Sequence, residues 1–211
     1  MLLSEVQTRV TKQFGDVAGA VITTDDIARW ATDAQLDIVR KTKLNQTDTT
    51  TASVALQSRY VIANMLEVQR VTYNGVVIKM ISRAELDSRF PGRGATGYGT
   101  DTPSYWAYRE NGIEVFPTPP DNLGIITVTH TKRPAPVVVP TDVFEIPEQY
   151  HEAIVRRCLE RAYETDGQWN AADRMKADVE LRTNDAAHDR ATGGGDSFPA
   201  VRALPGDGGD W

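Results

Sequence analysis

Apolar residues recur at three- and four-residue spacing near both ends of the chain and at every second position through its middle. That pattern predicts helices, then strands, then helices again. In the first segment Leu3, Val6, Val10 and Phe14 share one helical face. Ser4 and Gln7 stand at capping-box spacing, and Gly15 offers a C-terminal stop. The next segment, "TTDDIARWATDAQLDIVRKTK", carries Ile27, Trp30, Ala31, Ala34 and Ile38 as its stripe. Thr24 or Asp25 is its expected cap, early aspartates suit its N-terminus, and Arg40, Lys41 and Lys43 suit its C-terminus.

From "TTTASVALQSRYVI" onward the texture changes to Thr- and Val-rich runs with turn residues between them. Asn74-Gly75 and Asn111-Gly112 each predict a hairpin, because the central residues of a type I′ turn need positive φ. "PTPPDNLG" turns the chain once more before "IITVTHTKRP", giving an antiparallel meander of about five to six strands. "SRAELDSRF" reads as a short helix and "PGRGATGYGTDTP" as a flexible loop. Helical spacing returns after Pro147, with Tyr150, Ile154 and Cys158 on one stripe beside Val155, Leu159 and Tyr163. Asp166-Gly167 breaks that helix, and a second carries Trp169, Ala172, Met175 and Val179.

The predicted fold class is therefore α+β: a helical bundle with an inserted antiparallel β-meander domain and a flexible C-terminal tail. The bundle is expected to combine the N-terminal helices of residues 1–45 with a helical hairpin at 147–190. The β domain would span 46–146 and the Gly- and Pro-rich tail 191–211.

Composition narrows the function classes. The chain has 211 residues, 40% hydrophobic and 25% charged, enough for one substantial domain with a core. The start, "MLLSEVQTRVTKQF", shows neither a long apolar stretch nor a basic region, so no secretory signal is expected, and no membrane span is predicted anywhere. A single cysteine, Cys158, cannot form an internal disulfide and fits a reducing compartment. "NQT" at Asn45 matches a glycosylation sequon that carries no meaning without a secretory signal. Charge is uneven: residues 141–211 hold 15 acidic and 8 basic side chains, and so contain all of the net acidity. A nucleic-acid-gripping protein would show a basic stripe instead, whereas an acidic surface suits DNA that only slides past.

Candidate chemistry is sparse. Gly92, Gly94 and Gly97 spell the dinucleotide fingerprint G-x-G-x-x-G, but it needs a strand leading in and a helix leading out. Here Phe90-Pro91 precedes and a strand follows, so the stretch reads as a loop and no cofactor is expected. His130, His151 and His188 have no second ligand at i+3 or i+4, which leaves a metal site without support. Cys158 lies among apolar residues and reads as a small core residue rather than a nucleophile. Carboxylates along the C-terminal helices read as solvated faces, and Trp30 and Trp169 as core. Trp106 and Tyr108 lie in a strand, and "YWAYRENG" with "THTKR" is at most a weak stacking platform for single strands.

The ordered series of these parts resembles the head-to-tail adaptor (connector) proteins of tailed bacteriophages, over about residues 4 to 185. It is carried by "SEVQTRVTKQFGD", "VQRVTYNGVVIKMISRAELD", "TPSYWAYRENGIEVFPTPPDNLGIITVTHTKRPAP" and "IPEQYHEAIVRRCLERAYETDGQWNAADRMKADVE". The resemblance implies a structural virion protein made in the host bacterial cytoplasm and placed at the head–tail junction, with no active site. It implies a homo-oligomeric ring below the portal protein that meets tail or neck proteins and lets double-stranded DNA pass without specific binding. By composition the tail reads as a solvated end with stray hydrophobes. The resemblance instead implies a portal-docking segment with Phe198, Val201, Leu204 and Trp211 as its anchors. Competing expectations are a nucleic-acid-binding phage accessory protein and, behind it, an enzyme.

Overall fold

A computed structural model describes residues 1–16, 19–92 and 99–193, with side chains through residue 184. Helix α1 (Leu3–Phe14) buries Leu3, Val6 and Val10 and ends on Gly15, whose φ of 88° lets its N–H reach the Thr11 carbonyl. Its start differs from the expected Ser4–Gln7 box. Glu5 reaches back to the Leu2 N–H, while Gln7 leaves the helix to donate to the Thr24 carbonyl. Helix α2 (Thr24–Thr42) is capped one residue earlier than expected. The Thr23 hydroxyl accepts the Asp26 N–H, and the Asp26 carboxylate takes the Thr23 N–H and hydroxyl in return.

Strands β1 (Gln46–Ala52), β3 (Met65–Tyr73), β4 (Val76–Val77) and β8 (Ile125–Lys132) form one four-stranded sheet in the order β1-β8-β3-β4. Strands β2 (Arg59–Val61), β5 (Lys79–Met80), β6 (Tyr105–Arg109) and β7 (Gly112–Phe116) form a second, in the order β2-β7-β6-β5. Among the described strands all pairings are antiparallel except β5 with β6, because the chain crosses between sheets at Ile78 rather than folding back. The strands are thus shorter and more numerous than the hydrophobic pattern predicts, and divide into two layers. Val68, Val71, Tyr73, Ile126 and Val128 of the first sheet meet Tyr60, Trp106, Ile113 and Val115 of the second in one buried cluster. Helix α3 (Arg83–Arg89), capped by Ser82, covers one end through Leu86 against Phe116 and Ala107.

Asn74 and Gly75, with φ of 48° and 79°, make the expected two-residue turn between β3 and β4. At the second Asn-Gly the turn lies one residue earlier. Arg109 pairs with Gly112, so Glu110 and Asn111 form the loop and Gly112 is already in the strand. Glycine is required there for another reason: a Cβ would run into the Tyr60 carbonyl of β2.

After β8 the chain returns to the helices through residues 133–146. Val137, Phe144 and Ile146 join the core that α1 and α2 form with α4 (His151–Thr165). Gln35, fully buried on α2, fastens this return: its amide donates to the Ala135 carbonyl and its oxygen accepts the Glu145 N–H. Helix α4 follows a single 3₁₀ turn at Glu148–Tyr150, and α5 (Trp169–Gly193) packs back on it through Ala172 and Val179. A charged seam of Arg9, Glu152, Arg156 and Asp178 ties α1, α4 and α5 together.

Candidate interaction surfaces

Asp101-Thr102-Pro103 and the corner "PTPPDNLG" lie at the end of the sandwich far from α2, beside helix α3. Strand β1 starts at Gln46, just after α2, and reaches this end at Ala52, about 20 Å away at strand rise. Here three loops are locked together by hydrogen bonds to their backbones. The Asn74 side chain accepts the Ile125 N–H at 2.7 Å while its own N–H donates to the Ile125 carbonyl. Ser53 donates to the Asp121 carbonyl and accepts the Gly124 N–H. Asn122 accepts the Ala55 N–H, and Leu56 donates its N–H to the Pro119 carbonyl. On this frame Val54, Leu56, Val76, Leu123 and Ile125 are all exposed, Leu123 by 85%. A shallow cleft of about 300 Å³ between Tyr73, Val76, Pro103 and Leu123 indents the tip. Exposed apolar patches of this kind are where interaction surfaces are found.

A second apolar surface lies on the helical unit. The Leu3 and Ser4 N–H groups donate to the Asp142 and Pro140 carbonyls, which seats the return segment against the start of α1. Leu2, Val138, Val139 and Val143 are left exposed beside one another along this seam. The Asp142 carboxylate accepts the Val138 and Val139 N–H groups, and this holds it below the usual carboxylate range. Asp16 does the same for the α1–α2 loop, accepting from Ile22, Val21 and Ala20. An open groove of about 510 Å³ runs between α2 and residues 136–138, with Asp25, Arg29 and Asp33 along one lip.

The candidate chemical residues do not converge. His130 is buried in β8 with its Nε2 2.9 Å from the Thr49 hydroxyl, and its Nδ1 has no partner among the described residues. His151, in the helical core, donates Nε2–H to the Ile146 carbonyl, and its Nδ1 lies 3.3 Å from the Met1 amino group. Burial holds its pKa below the ordinary histidine value. His188 lies beyond the described side chains. Cys158 is fully buried against the Ile27 carbonyl, and burial pushes its thiol up. Among the described residues no group of three or more His, Cys, Asp or Glu could hold a metal ion, and no helix is long and apolar enough to cross a membrane.

Two readings of the sequence are corrected. Trp169 is 65% exposed rather than core, because it opens α5 and the stripe that packs starts at Ala172, while Trp30 packs half-buried on the helical core. Glu160 is not a solvated carboxylate. It is buried on α4, where Arg157 holds both of its oxygens at 2.6 Å and also approaches Asp37 of α2. Of the glycine fingerprint, Gly94 and Gly97 lie outside the described residues, and Gly92 follows helix α3 while β6 comes after. That is the reverse of the order a dinucleotide needs. The anchors Phe198, Val201, Leu204 and Trp211 also lie outside the described residues. The exposed apolar tip gave no sequence signal, since its residues alternate within strands or sit singly in loops.

A family model described as SU10 adaptor protein matches residues 1–202, and the chain belongs to that family. The resemblance to phage adaptors read from the sequence is thereby borne out, and with it a bacteriophage structural protein that works against other virion proteins. No curated protein matches the sequence.

Proposed function

We propose that the protein forms a homo-oligomeric ring below the portal, joins the capsid to tail or neck proteins at the head–tail junction, and continues the DNA channel without catalysing a reaction. Membership of the adaptor family across residues 1–202 carries this reading. The architecture supports it physically. A ring made of head-to-tail contacts needs two different surfaces on each subunit. Here a helical unit with its return segment and a β-sandwich present separate apolar faces. In this proposal the two are distinct units, and the chain beyond residue 190 docks on the portal through Phe198, Val201, Leu204 and Trp211. The acidity of residues 141–211 keeps passing DNA from sticking where that region meets the channel.

Native mass spectrometry of the protein mixed with the portal protein of the same genome tests the ring. A fixed number of copies per portal is expected, and no complex with an intact portal ring would overturn the proposal. A peptide of residues 191–211 should compete for that binding, and failure to compete would remove the anchor assignment alone. DNA retention at low salt is expected to be weak. Tight, salt-sensitive retention would favour a nucleic-acid-binding accessory role.

A further inference from the structure

The helical unit and the sandwich touch sparingly. Their apolar cores are separate, and among the described residues Leu66 of β3 is the one apolar strand residue that packs on the helical core. The polar contacts between the units lie at the surface. Lys43, just past α2, pairs with Glu67 of β3 at 2.6 Å, and both side chains are half-exposed. Glu145 of the return segment meets Lys132 of β8 at 3.6 Å and the Asn45 amide at 3.4 Å. Exposed pairs of this kind hold weakly, and units that share only a small polar interface move relative to one another.

Two chain connections join the units, and each contains a short joint. Helix α2 ends where the Lys43 N–H reaches the Val39 carbonyl, and the sandwich begins where the Asn45 carbonyl accepts the Lys132 N–H. Leu44 between them makes no backbone hydrogen bond among the described residues. Lys43 and Asn45 on either side turn the chain with φ of 51° and 62°. On the way back the sandwich ends at Arg133, whose N–H donates to the Asn64 carbonyl. The helical unit resumes at Ala135, whose carbonyl is held by Gln35. Pro134 between them has no N–H to bond. The bond from Lys132 to Asn45 keeps the two joints side by side, so together they define an axis about which a few residues can absorb a rotation.

Beside this axis the two units stand apart. A groove of about 410 Å³ separates Thr32, Asp33 and Leu36 of α2 from Asn64 and Arg133 at the root of the sandwich. Asp33 and Arg133 are both exposed, and neither side chain has an ion pair or hydrogen bond among the described residues. We infer that the sandwich swings on the helical unit about the axis through Leu44 and Pro134, closing this groove and pairing Arg133 with Asp33. The open arrangement is held by Lys43 with Glu67 and by Lys132 with Glu145. The closed one gains the Asp33–Arg133 pair and covers Leu36, which is half-buried in the open form. The two differ by a few exposed ion pairs, so both are populated in solution. This device rests on the reading of two distinct units and goes beyond the ring, because it belongs to the single chain.

Double electron–electron resonance on the full chain is the test. Cys158 is buried, so spin labels attach at introduced cysteines. Arg29→Cys on the lip of α2 and Ala63→Cys beside Asn64 place two exposed labels across the groove. Dilution with unlabelled chain restricts the signal to distances within one copy. Two distances are expected, the shorter from the closed arrangement. Adding Asp33→Arg sets a second cation against Arg133 and should remove the shorter distance. Adding Arg133→Asp to that variant restores opposite charges and should bring it back. A control pair within the sandwich, Thr50→Cys with Val77→Cys, should give one distance in every background. One distance across the groove that Asp33→Arg does not change overturns the inference. So do two distances that Asp33→Arg leaves equally populated, or a control pair that splits in the same way. Any of these results leaves the ring standing, since native mass spectrometry reads copy number and not the angle between units.

Discussion

Replacing Tyr108 by phenylalanine removes one oxygen and should loosen the whole sandwich. Strand β4 covers only Thr72 and Tyr73 of β3, so among the described residues the rest of that side of β3 has no neighbouring strand. At Val68 the gap is filled from the other sheet. The Tyr108 hydroxyl accepts the Val68 N–H and donates to the Val68 carbonyl, each at 2.8 Å. Val68 is itself buried and sits between the irregularities in the β3–β8 register. Two hydrogen bonds at about 0.5–1.5 kcal/mol each give about 1–3 kcal/mol for the substitution. Tyr108 is 37% exposed, so water can reach part of the site, and about 1–2 kcal/mol is the expected loss. In a chain of this size that lowers the melting temperature by about 2–8 °C.

Urea titration followed by far-ultraviolet circular dichroism measures the loss directly, and pH supplies an internal check. Burial raises the Tyr108 pKa above its ordinary value despite the Val68 N–H, so folding favours the neutral phenol. A group whose folded pKa is raised contributes its stability below the unfolded pKa, about 10, and loses it as pH rises through the folded value. The gap between wild type and Tyr108→Phe should therefore be widest below pH 10 and narrow above it. A change under about 0.5 kcal/mol at neutral pH, the range of an ordinary surface substitution, would refute the idea that Tyr108 stands in for a missing strand.

Gln35→Met leaves the Ala135 carbonyl and Glu145 N–H without their partner beside α2, at a cost of about 2–5 kcal/mol from the unsatisfied-group penalty, read from the same urea titration. Gly112→Ala forces a Cβ into the Tyr60 carbonyl and should cost about 3 kcal/mol. Gly75→Ala meets open space and should cost only the positive-φ strain, about 1–2 kcal/mol. Comparing the melting temperatures of the two glycine variants separates close approach from turn geometry. His151 has a folded pKa depressed by burial, so its contribution is present above the unfolded value near 6.5 and is lost as pH falls toward the folded one. Proton NMR should show the His151 ring titrating below that value, with stability falling over the same interval.

The chain pattern by itself determined the helices, their stops at Gly15 and Gly167, the Asn74-Gly75 hairpin and the α+β class, because each rests on neighbours within a few residues. It also carried the ordered series that marks an adaptor. Caps were legible only to within a residue or two, since several Ser, Thr and Asp side chains compete at each helix start. Thr23 takes the cap of α2 because Asp26 completes the box with it. Tertiary structure alone decided the rest. The division into two sheets follows from a crossing at Ile78, with no local signature to distinguish it from a hairpin. The exposure of Trp169 and the burial of Glu160 depend on which part of a helical face finds a neighbour. The exposure of the apolar tip is also a property of the packed fold. A row of Val, Leu and Thr reads alike whether covered or bare, and only the packed fold shows which backbone and side-chain groups are left facing outward.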